Sequence, residues 1–263
     1  MKIKDIAAAL EEAAPLSLQE DFDNSGLLVG DPEAEVRSAL LCVDITEAVL
    51  EEAVSVGADM VISHHPVIFH PLRHITGSTY IERVVAGAIA RGIALYASHT
   101  NLDSAPDGMS HRLGNLLGLK NVSIMVPSLS SCRDMAGSGI VGEPGTESGM
   151  MEYLSYIKST LGLKVLRYSS ITRQRVTRVA LCTGAGGSFM NAAKASGAEL
   201  YISSDFRYNN FLDADRDMVI ADVGHFESEY CAIDLLYDII RKKFPTFALH
   251  KSKMSTNPVN YLV

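Results

Sequence analysis

The stretch ALLCVDITEAVLEEAVSVGADMVISHHP, residues 39–66, contains two short apolar runs with a helical pattern between them. Ala39 to Val43 and Met60 to Ser63 are rich in aliphatic residues, whereas Thr46 to Val56 places its apolar residues on one side of a helix. A strand, a helix and a second strand form the unit from which parallel sheets are built, because the helix covers an apolar face of the sheet. The stretch therefore predicts an α/β fold.

The rest of the chain continues this alternation of strands and helices. Further strands are predicted at Ile93 to Ala97, Val176 to Thr183, Leu200 to Ser203 and Met218 to Ala221. Further helices are predicted at Ile81 to Arg91, Met150 to Leu161, Phe189 to Ser196 and Ser228 to Lys242. Alternation of this kind favours mostly parallel sheets flanked by helices.

A weak internal repeat connects the first part of the chain with the second. The shared dipeptides, all at a shift of 140 residues, are LC at 41–42 and 181–182, GA at 57–58 and 197–198, and IS at 62–63 and 202–203. The repeat predicts two related α/β halves; the alternative is that two parallel-sheet segments share short matches by chance. Under this alignment His64 and His65 fall on Ser204 and Asp205, so only the first half carries the imidazoles.

The length of 263 residues is compatible with one large domain or with two closely packed halves. We expect two halves, residues 1–125 and residues 126–263, joined through the glycine- and serine-rich stretch after Met125. The composition, 47% hydrophobic and 21% charged, is that of a folded globular protein rather than a disordered chain.

Charge and hydropathy exclude several classes of function. The formal net charge of -8 disfavours nucleic acid as a partner, because binding to phosphates requires clustered Lys and Arg. No apolar run approaches the roughly 20 residues that span a bilayer, and the N-terminal segment lacks a signal-peptide core. We therefore expect a cytoplasmic protein with no membrane partner. Cys42, Cys132, Cys182 and Cys231 form no CxxC pair and are expected to be reduced thiols.

The predicted strand at 60–63 runs directly into His64 and His65. Ligands of open α/β sheets collect at the carboxyl ends of strands, so this is the expected place for a site. Side chains alternate along a strand, which predicts that the two imidazoles diverge and serve two neighbouring metal ions rather than one. The alternative is that a strand-end histidine is a hydrogen-bonded packing residue.

Two more predicted strands end in potential ligands. His99 and Asp103 follow the strand at 93–97, and His225 and Glu229 follow the strand at 218–221. In one helix from 228 to 242, Glu229 would share the apolar side, whereas Glu227 would be solvated. Because a buried carboxylate requires a cation or hydrogen bonds, Glu229 is the expected bridge between two ions. Asp103 has an alternative reading as the start of a turn.

Other polar positions have competing interpretations. Asp23 and Asp44 could line the pocket, but turn and cap roles explain them equally well, so neither is included among the site residues. The stretch CTGAGGS, residues 182–188, could bind an anion on its amides or form a tight structural turn. The remaining histidines are expected to be ordinary surface or structural residues, namely His70, His74, His111 and His250.

Several motifs together resemble the NIF3-like family, whose members are also called GTP cyclohydrolase I type 2 homologs. The motifs, which extend over nearly the whole chain, are FDNSGLLVG at 22–30, SHHP at 63–66, SHTNLD at 98–103, the GAGGS turn, ELYISSD at 199–205 and GHFESE at 224–229. Phe22 stands where the family often has Trp, and Ser204 stands where Gly is common. The chain is too short for the inserted domain of longer members.

The resemblance implies a dinuclear metal centre with ligands His64, His65, Asp103, His225 and Glu229, and Glu229 as the bridge. These are the five residues that the sequence pattern also favours. His99 matches a family position near the ions, which implies contact with a ligand or with substrate. The resemblance further implies a homohexameric ring or cage.

A site with these ligands predicts a metal-dependent hydrolase, since two divalent ions can activate water and polarise an electrophile. Imidazole and carboxylate ligands favour zinc or iron, with manganese or nickel as alternatives. The expected substrate is a nucleotide or another small heterocyclic or phosphorylated molecule, and the family name suggests purine ring opening. The alternatives are a non-catalytic metal-binding hexameric scaffold or regulator, and a metal chaperone.

Overall fold

The computed structural model describes residues 1–128 and 136–262, and these residues form two compact units. The first unit contains Met1–Ala105 and Ala232–Pro258, and the second contains Pro106–Cys231 and Val259–Val263. The division therefore differs from a simple boundary near residue 125, because the chain returns to the first unit after Cys231. Cys132 lies outside the described residues.

The helices and strands alternate along most of the described chain. The helices are α1 (Ile3–Ala13), α2 (Glu47–Ser55), α3 (Tyr80–Arg91), α4 (Thr100–Asp103), α5 (Met109–Leu116), α6 (Met150–Thr160), α7 (Met190–Ala195), α8 (Tyr208–Asp213), α9 (His225–Glu229) and α10 (Ala232–Lys243). The strands are β1 (Gly26–Val29), β2 (Ser38–Cys42), β3 (Met60–Ser63), β4 (Ala94–Ala97), β5 (Lys120–Pro127), β6 (Gly137–Glu143), β7 (Ser148–Gly149), β8 (Arg167–Tyr168), β9 (Arg175–Val176), β10 (Val179–Leu181), β11 (Leu200–Ser203), β12 (Val219–Asp222) and β13 (Ala248–Lys251).

The sheet of the first unit has the strand order β1-β4-β3-β2-β13. All its neighbouring strands are parallel except β1, which pairs antiparallel with β4. Alternate strand residues such as Leu40, Val61 and Leu95 face α2 and α3 and are fully buried there. Helix α10 packs against β2 and β13, so the returning segment completes this unit.

The sheet of the second unit has the order β5-β6-β10-β11-β12-β8. Its centre, β10-β11-β12, is parallel, whereas β5, β6 and β8 are antiparallel to their neighbours. Tyr201 and Ile220 from this centre pack with Met190 and Ala193 of α7. The predicted α/β fold, with mostly parallel strands flanked by helices, is confirmed, although the second unit adds antiparallel edges.

The strand pairing has the same 140-residue shift as the sequence repeat. In the first unit Leu41 pairs with Ile62, and in the second Leu181 pairs with Ile202. The GA dipeptides also match, because Gly57 (φ 68°) and Gly197 (φ 77°) both adopt the left-handed conformation that ends a helix. The two units therefore share a strand-helix-strand core in the same register.

One predicted helix is wrong in its extent. The expected helix from Ser228 to Lys242 is two helices, α9 and α10, separated by a turn at Tyr230 and Cys231. The helical phase that connected Glu229 with the apolar side of α10 is therefore interrupted. Glu229 is nevertheless buried, with 3% exposure, whereas Glu227 is only half-buried.

The structure bears on the cysteines and on membrane-spanning helices only within the described residues. Cys42, Cys182 and Cys231 are all buried. Among the described residues, no helix combines the length and the apolar character needed to cross a membrane.

Candidate metal centre

His64 and His65 lie immediately beyond β3, which ends at Ser63. Their backbone amides donate to the carbonyls of Cys42 (3.2 Å) and Val43 (2.9 Å). The imidazole ring centroids are 5.0 Å apart. The expectation that these side chains diverge is therefore wrong, because strand alternation no longer applies once the chain bends after Ser63.

His99 joins this pair from the neighbouring strand end. It lies between β4 and α4, and its ring centroid is 5.3 Å from those of both His64 and His65. One nitrogen from each of the three rings lies within 4.8 Å of the others, a spacing that could hold a metal ion. His99 is thus almost as close to the other two imidazoles (5.3 Å) as they are to each other (5.0 Å).

The Nδ1 atom of each of these rings faces an oxygen. His64 Nδ1 lies 2.9 Å from the Ser98 carbonyl, His65 Nδ1 lies 2.7 Å from Asp44 Oδ1, and His99 Nδ1 lies 2.7 Å from Asp23 Oδ1. A carbonyl only accepts, so His64 must donate from Nδ1 and its neutral ring carries the lone pair on Nε2. The two carboxylates favour the same tautomer in His65 and His99. Metal-binding histidines are commonly oriented in this way.

Asp23 and Asp44 therefore orient histidines rather than serving only in turns. Asp23 also accepts from Thr100 Oγ1 (2.5 Å) and Ser25 Oγ (2.9 Å), and Asp44 accepts from Thr256 Oγ1 (3.1 Å). Burial alone would raise the pKa of Asp23, but hydrogen bonds from His99 and Thr100 outweigh it and hold that pKa well below its usual value. The Asp23 side chain is thus ionised over the physiological range.

Asp103 is the last residue of α4 and belongs to the same unit. Its Oδ1 lies 3.8 Å from His64 Nε2, and its side chain is 27% exposed. This distance is too long for a hydrogen bond but brings a carboxylate next to an imidazole nitrogen. The first unit therefore brings together four of the residues singled out in the sequence, His64, His65, His99 and Asp103.

The second unit presents its two candidate ligands on the short helix α9. The helix begins at His225 directly after Gly224, whose φ of 86° turns the chain out of β12. His225 and Glu229 are four residues apart, so both project from one side of α9, and His225 Nε2 lies 3.0 Å from Glu229 Oε2. Asp205 Oδ2 lies 2.7 Å from His225 Nδ1 and orients this ring as Asp44 orients His65.

The glycine-rich turn after β10 packs against these ligands. A Cβ atom at Gly184 would lie 2.2 Å from Glu229 Oε1, and Gly184 has a φ of 63°. Its amide donates to Ser228 Oγ, and the Gly186 amide donates to Ser203 Oγ, both at 2.9 Å. These amides are thus used inside the second unit, which favours the structural interpretation of CTGAGGS over an anion cradle.

Sequence reasoning did not nominate Asp205 and the Ser98 carbonyl. Asp205 could have been found from the repeat, since it aligns with His65 and therefore lies at a strand end. The Ser98 carbonyl leaves no trace in residue type, so only the coordinates could identify it.

The two sets of side chains match the preferences of divalent transition metals. Imidazole and carboxylate ligands suit zinc, iron, manganese and nickel, and each histidine here has its Nδ1 held by an oxygen. The described residues therefore include His, Asp and Glu groups that could hold a metal ion.

Comparisons with known proteins agree with this fold. Residues 1–258 match the family described as Duf34/NIF3 (NGG1p interacting factor 3). A protein of Clostridium perfringens named GTP cyclohydrolase 1 type 2 homolog is 38% identical over 231 residues, which cover 88% of this chain and 87% of that protein. A protein of the same name from Clostridium acetobutylicum is 32% identical and covers 97% of this chain and 94% of its own.

A solved structure has the same fold. The crystal structure of Staphylococcus aureus protein SA1388 superposes with a TM-score of 0.91 at 26% identity, covering 100% of this chain and 99% of that one. The match to the family model over residues 1–258 shows that the chain belongs to the Duf34/NIF3 family.

Proposed function

We propose that this protein is a dinuclear metal-dependent hydrolase that acts on a nucleotide or another small heterocyclic or phosphorylated substrate. The observation that carries the proposal is the orientation of four imidazoles, His64, His65, His99 and His225, by oxygen acceptors at Nδ1. Such acceptors are the usual partners of metal-binding histidines, because they fix the tautomer and the orientation of the ring.

The proposed ligands are His64, His65 and Asp103 from the first unit and His225 and Glu229 from the second. Joining the two sets into one centre is part of the proposal, and Glu229 is its proposed bridge. Zinc or iron is the favoured metal, with manganese or nickel as alternatives. When bound, such ions supply Lewis-acid chemistry and allow water to act as a nucleophile near neutral pH.

The protein's own residues would orient the ligands and manage protons. Asp44 and Asp205 hold the rings of His65 and His225, each at 2.7 Å. The ionised Asp23 keeps a proton on His99 Nδ1 and so leaves Nε2 of that ring able to accept one. His99 is therefore the proposed substrate-contacting residue, with metal coordination as the alternative role that its position also permits.

Metal analysis and substrate profiling of one purified sample test the proposal. We expect about two divalent ions per chain and turnover on a panel of nucleotides and phosphoesters that includes GTP. Glu229→Gln should lower both metal content and turnover, whereas Glu227→Gln, two residues away and half-buried, should retain both. Two bound ions without turnover on the panel would favour a scaffold, and rapid transfer of the ions to an apo-acceptor would favour a metal chaperone.

The homohexameric ring is a separate part of the proposal and rests on family membership. A hexamer of the 28.4 kDa chain would sediment with a mass near 170 kDa. Sedimentation of the Glu229→Gln variant shows whether the metal centre stabilises the assembly, since a scaffold role predicts loss of assembly without any accompanying loss of a reaction.

A further inference from the structure

Phe22 is an exposed aromatic residue next to the histidines of the first unit. Its exposure is 63%, and its ring centroid lies 6.2 Å from that of Phe69. Phe69 in turn lies 6.1 Å from His99 at an interplanar angle of 76°. A single exposed apolar side chain needs no explanation, but here two aromatic rings lie together next to His99 and offer an aromatic surface beside the candidate site.

The two phenylalanines are held by the residues that follow Phe22. Asp23 hydrogen-bonds His99 Nδ1 (2.7 Å) and the Thr100 amide (3.1 Å), and so fixes the chain to the start of α4. Asn24 Nδ2 donates to the carbonyl of Ile68 at 2.6 Å, directly before Phe69. Hydrogen bonds from the segment 22–24 thus connect Phe22 both to His99 and to the loop that carries Phe69.

We propose that Phe22 and Phe69 form an aromatic platform on which the planar ring of a heterocyclic substrate stacks. The proposal rests on the proposed function and narrows its substrate class from heterocyclic or phosphorylated molecules to those that carry an aromatic base. Flat rings pack on aromatic faces in offset or edge-to-face geometry with centroids about 4.5–7 Å apart. A base bound on this platform lies one ring away from His99, so its reactive atoms are presented to the candidate centre.

The absence of tryptophan from the chain allows a direct test of stacking. Phe22→Trp introduces a single indole on the platform. Ile89→Trp introduces one at an exposed control position (58%) near the C-terminal end of α3. That helix end leads into the start of β4, whereas His99 follows the end of β4. Guanosine should quench the fluorescence of Phe22→Trp and leave that of Ile89→Trp unchanged. Ribose 5-phosphate, which lacks an aromatic base, should quench neither.

Affinity measurements extend the test to the native ring. We expect Phe22→Leu to weaken guanosine binding about 5- to 140-fold by calorimetry, the range for loss of one base-aromatic stack, while Phe22→Tyr stays within a few-fold of wild type. Phe69→Leu should act in the same direction, and circular dichroism of both leucine variants controls for misfolding. Unchanged guanosine affinity in Phe22→Leu, or equal competition by ribose 5-phosphate, would overturn the platform.

Metal content and sedimentation separate the possible failures. Suppose that the metals are present, that guanosine does not quench Phe22→Trp, and that Phe22→Leu binds guanosine as tightly as wild type. The platform is then wrong and the proposed function stands. If the protein holds no metal but guanosine still stacks, the hydrolase proposal fails alone. Loss of assembly in Phe22→Leu without change in guanosine binding would assign Phe22 to contact with a second copy of the chain, and would also overturn the proposal.

Discussion

The ends of β3 and β11 occupy equivalent places in the two units but carry different chemistry. Both strands pair in parallel with the preceding strand in the same register, and both turn away after a serine, Ser63 or Ser203. The first end continues with His64 and His65, whereas the second continues with Ser204 and Asp205. One scaffold thus presents imidazoles in the first unit and, in the second, an acid that orients an imidazole from elsewhere.

At a second pair of equivalent positions, the first unit carries the orienting acid and the second carries a glycine. Asp44 orients His65 in the first unit, and the residue 140 positions later is Gly184, which leaves room for Glu229. Ser204 bonds the Gly184 carbonyl through its hydroxyl at 2.6 Å, so the residue aligned with His64 holds this turn in place. Backbone pairing thus fixes where a strand ends, and residue type just beyond that end decides whether it supplies imidazoles or the residues that support ligands from another element.

Alanine substitution of the residue that directly follows β3 or β11 should give the largest difference in metal affinity between the two units. His64→Ala should lower metal affinity more than about 100-fold, because it removes a proposed ligand rather than its orienting partner. Ser204→Ala removes only a hydroxyl that bonds a carbonyl and should change metal affinity by no more than a few-fold. Competition with a chromophoric chelator measures both constants, and equal losses in the two variants would remove the distinction between the strand ends.

The orienting carboxylates should have the next largest effect. Asp44→Ala and Asp205→Ala should each weaken metal binding about 10- to 100-fold, the usual range for loss of a residue that hydrogen-bonds a metal-binding histidine. Asp44→Asn and Asp205→Asn should recover part of the loss, since an amide oxygen still accepts from Nδ1. A purely structural role would instead lower the melting temperature of the alanine variants without changing the affinity of the folded protein.

Comparison of Gly184→Ala with Gly197→Ala separates the effect of backbone strain from the displacement of Glu229. Gly184 (φ 63°) and Gly197 (φ 77°) both lie in the left-handed region, so alanine at either should cost about 1–2 kcal/mol of folding free energy. Only at Gly184 does the new Cβ meet the Glu229 carboxylate, and it meets nothing within 4 Å at Gly197. Gly184→Ala should therefore lose metal while Gly197→Ala keeps it, in parallel urea and metal-binding titrations.

The smallest expected effect concerns the acid sensitivity of the first unit. Backbone and side-chain hydrogen bonds from Thr76, followed by those from Ser78 and Thr79, lower the pKa of Glu82 to about 2 despite the opposing effect of burial. Because the folded-state pKa lies below the unfolded value near 4.5, its contribution to stability is present above pH 4.5 and is lost as the pH falls towards 2.

Urea unfolding between pH 7 and pH 2.5 checks this sign. The difference in free energy of unfolding between wild type and Glu82→Gln should be greatest at pH 7 and shrink below pH 4.5. Glu152→Gln, at an exposed position in the first turn of α6, gives the matched change in the second unit. A difference that grows on acidification would contradict the assignment.

Much of the fold could be predicted because its signals are local. The strands β3 and β11 match their predicted limits, and α6 ends one residue before its predicted end. The failure at residues 228–242 has the same origin, since apolar spacing continued through a turn at Tyr230 and Cys231. Periodicity records which residues are buried, and it does not record whether one helix or two bury them.

The candidate site was predictable in residue type but not in its contacts. Its histidines and acids follow apolar runs, and that position is visible in the sequence. The partner of each Nδ1 was not, because Asp44 is 21 residues from His65 and Asp23 is 76 residues from His99. Such pairs form only when different strand ends are brought to one edge of a sheet.

The sequence by itself determined that the chain is an α/β protein of repeated strand-helix-strand segments, with histidines and carboxylates at three strand ends. These properties depend on side-chain polarity at neighbouring positions, which the chain order contains directly. The tertiary structure alone decided that His64 and His65 converge, that a carbonyl and an aspartate select their tautomers, and that Gly184 leaves space for Glu229. Those outcomes depend on distances between segments far apart in the chain, and packing sets those distances.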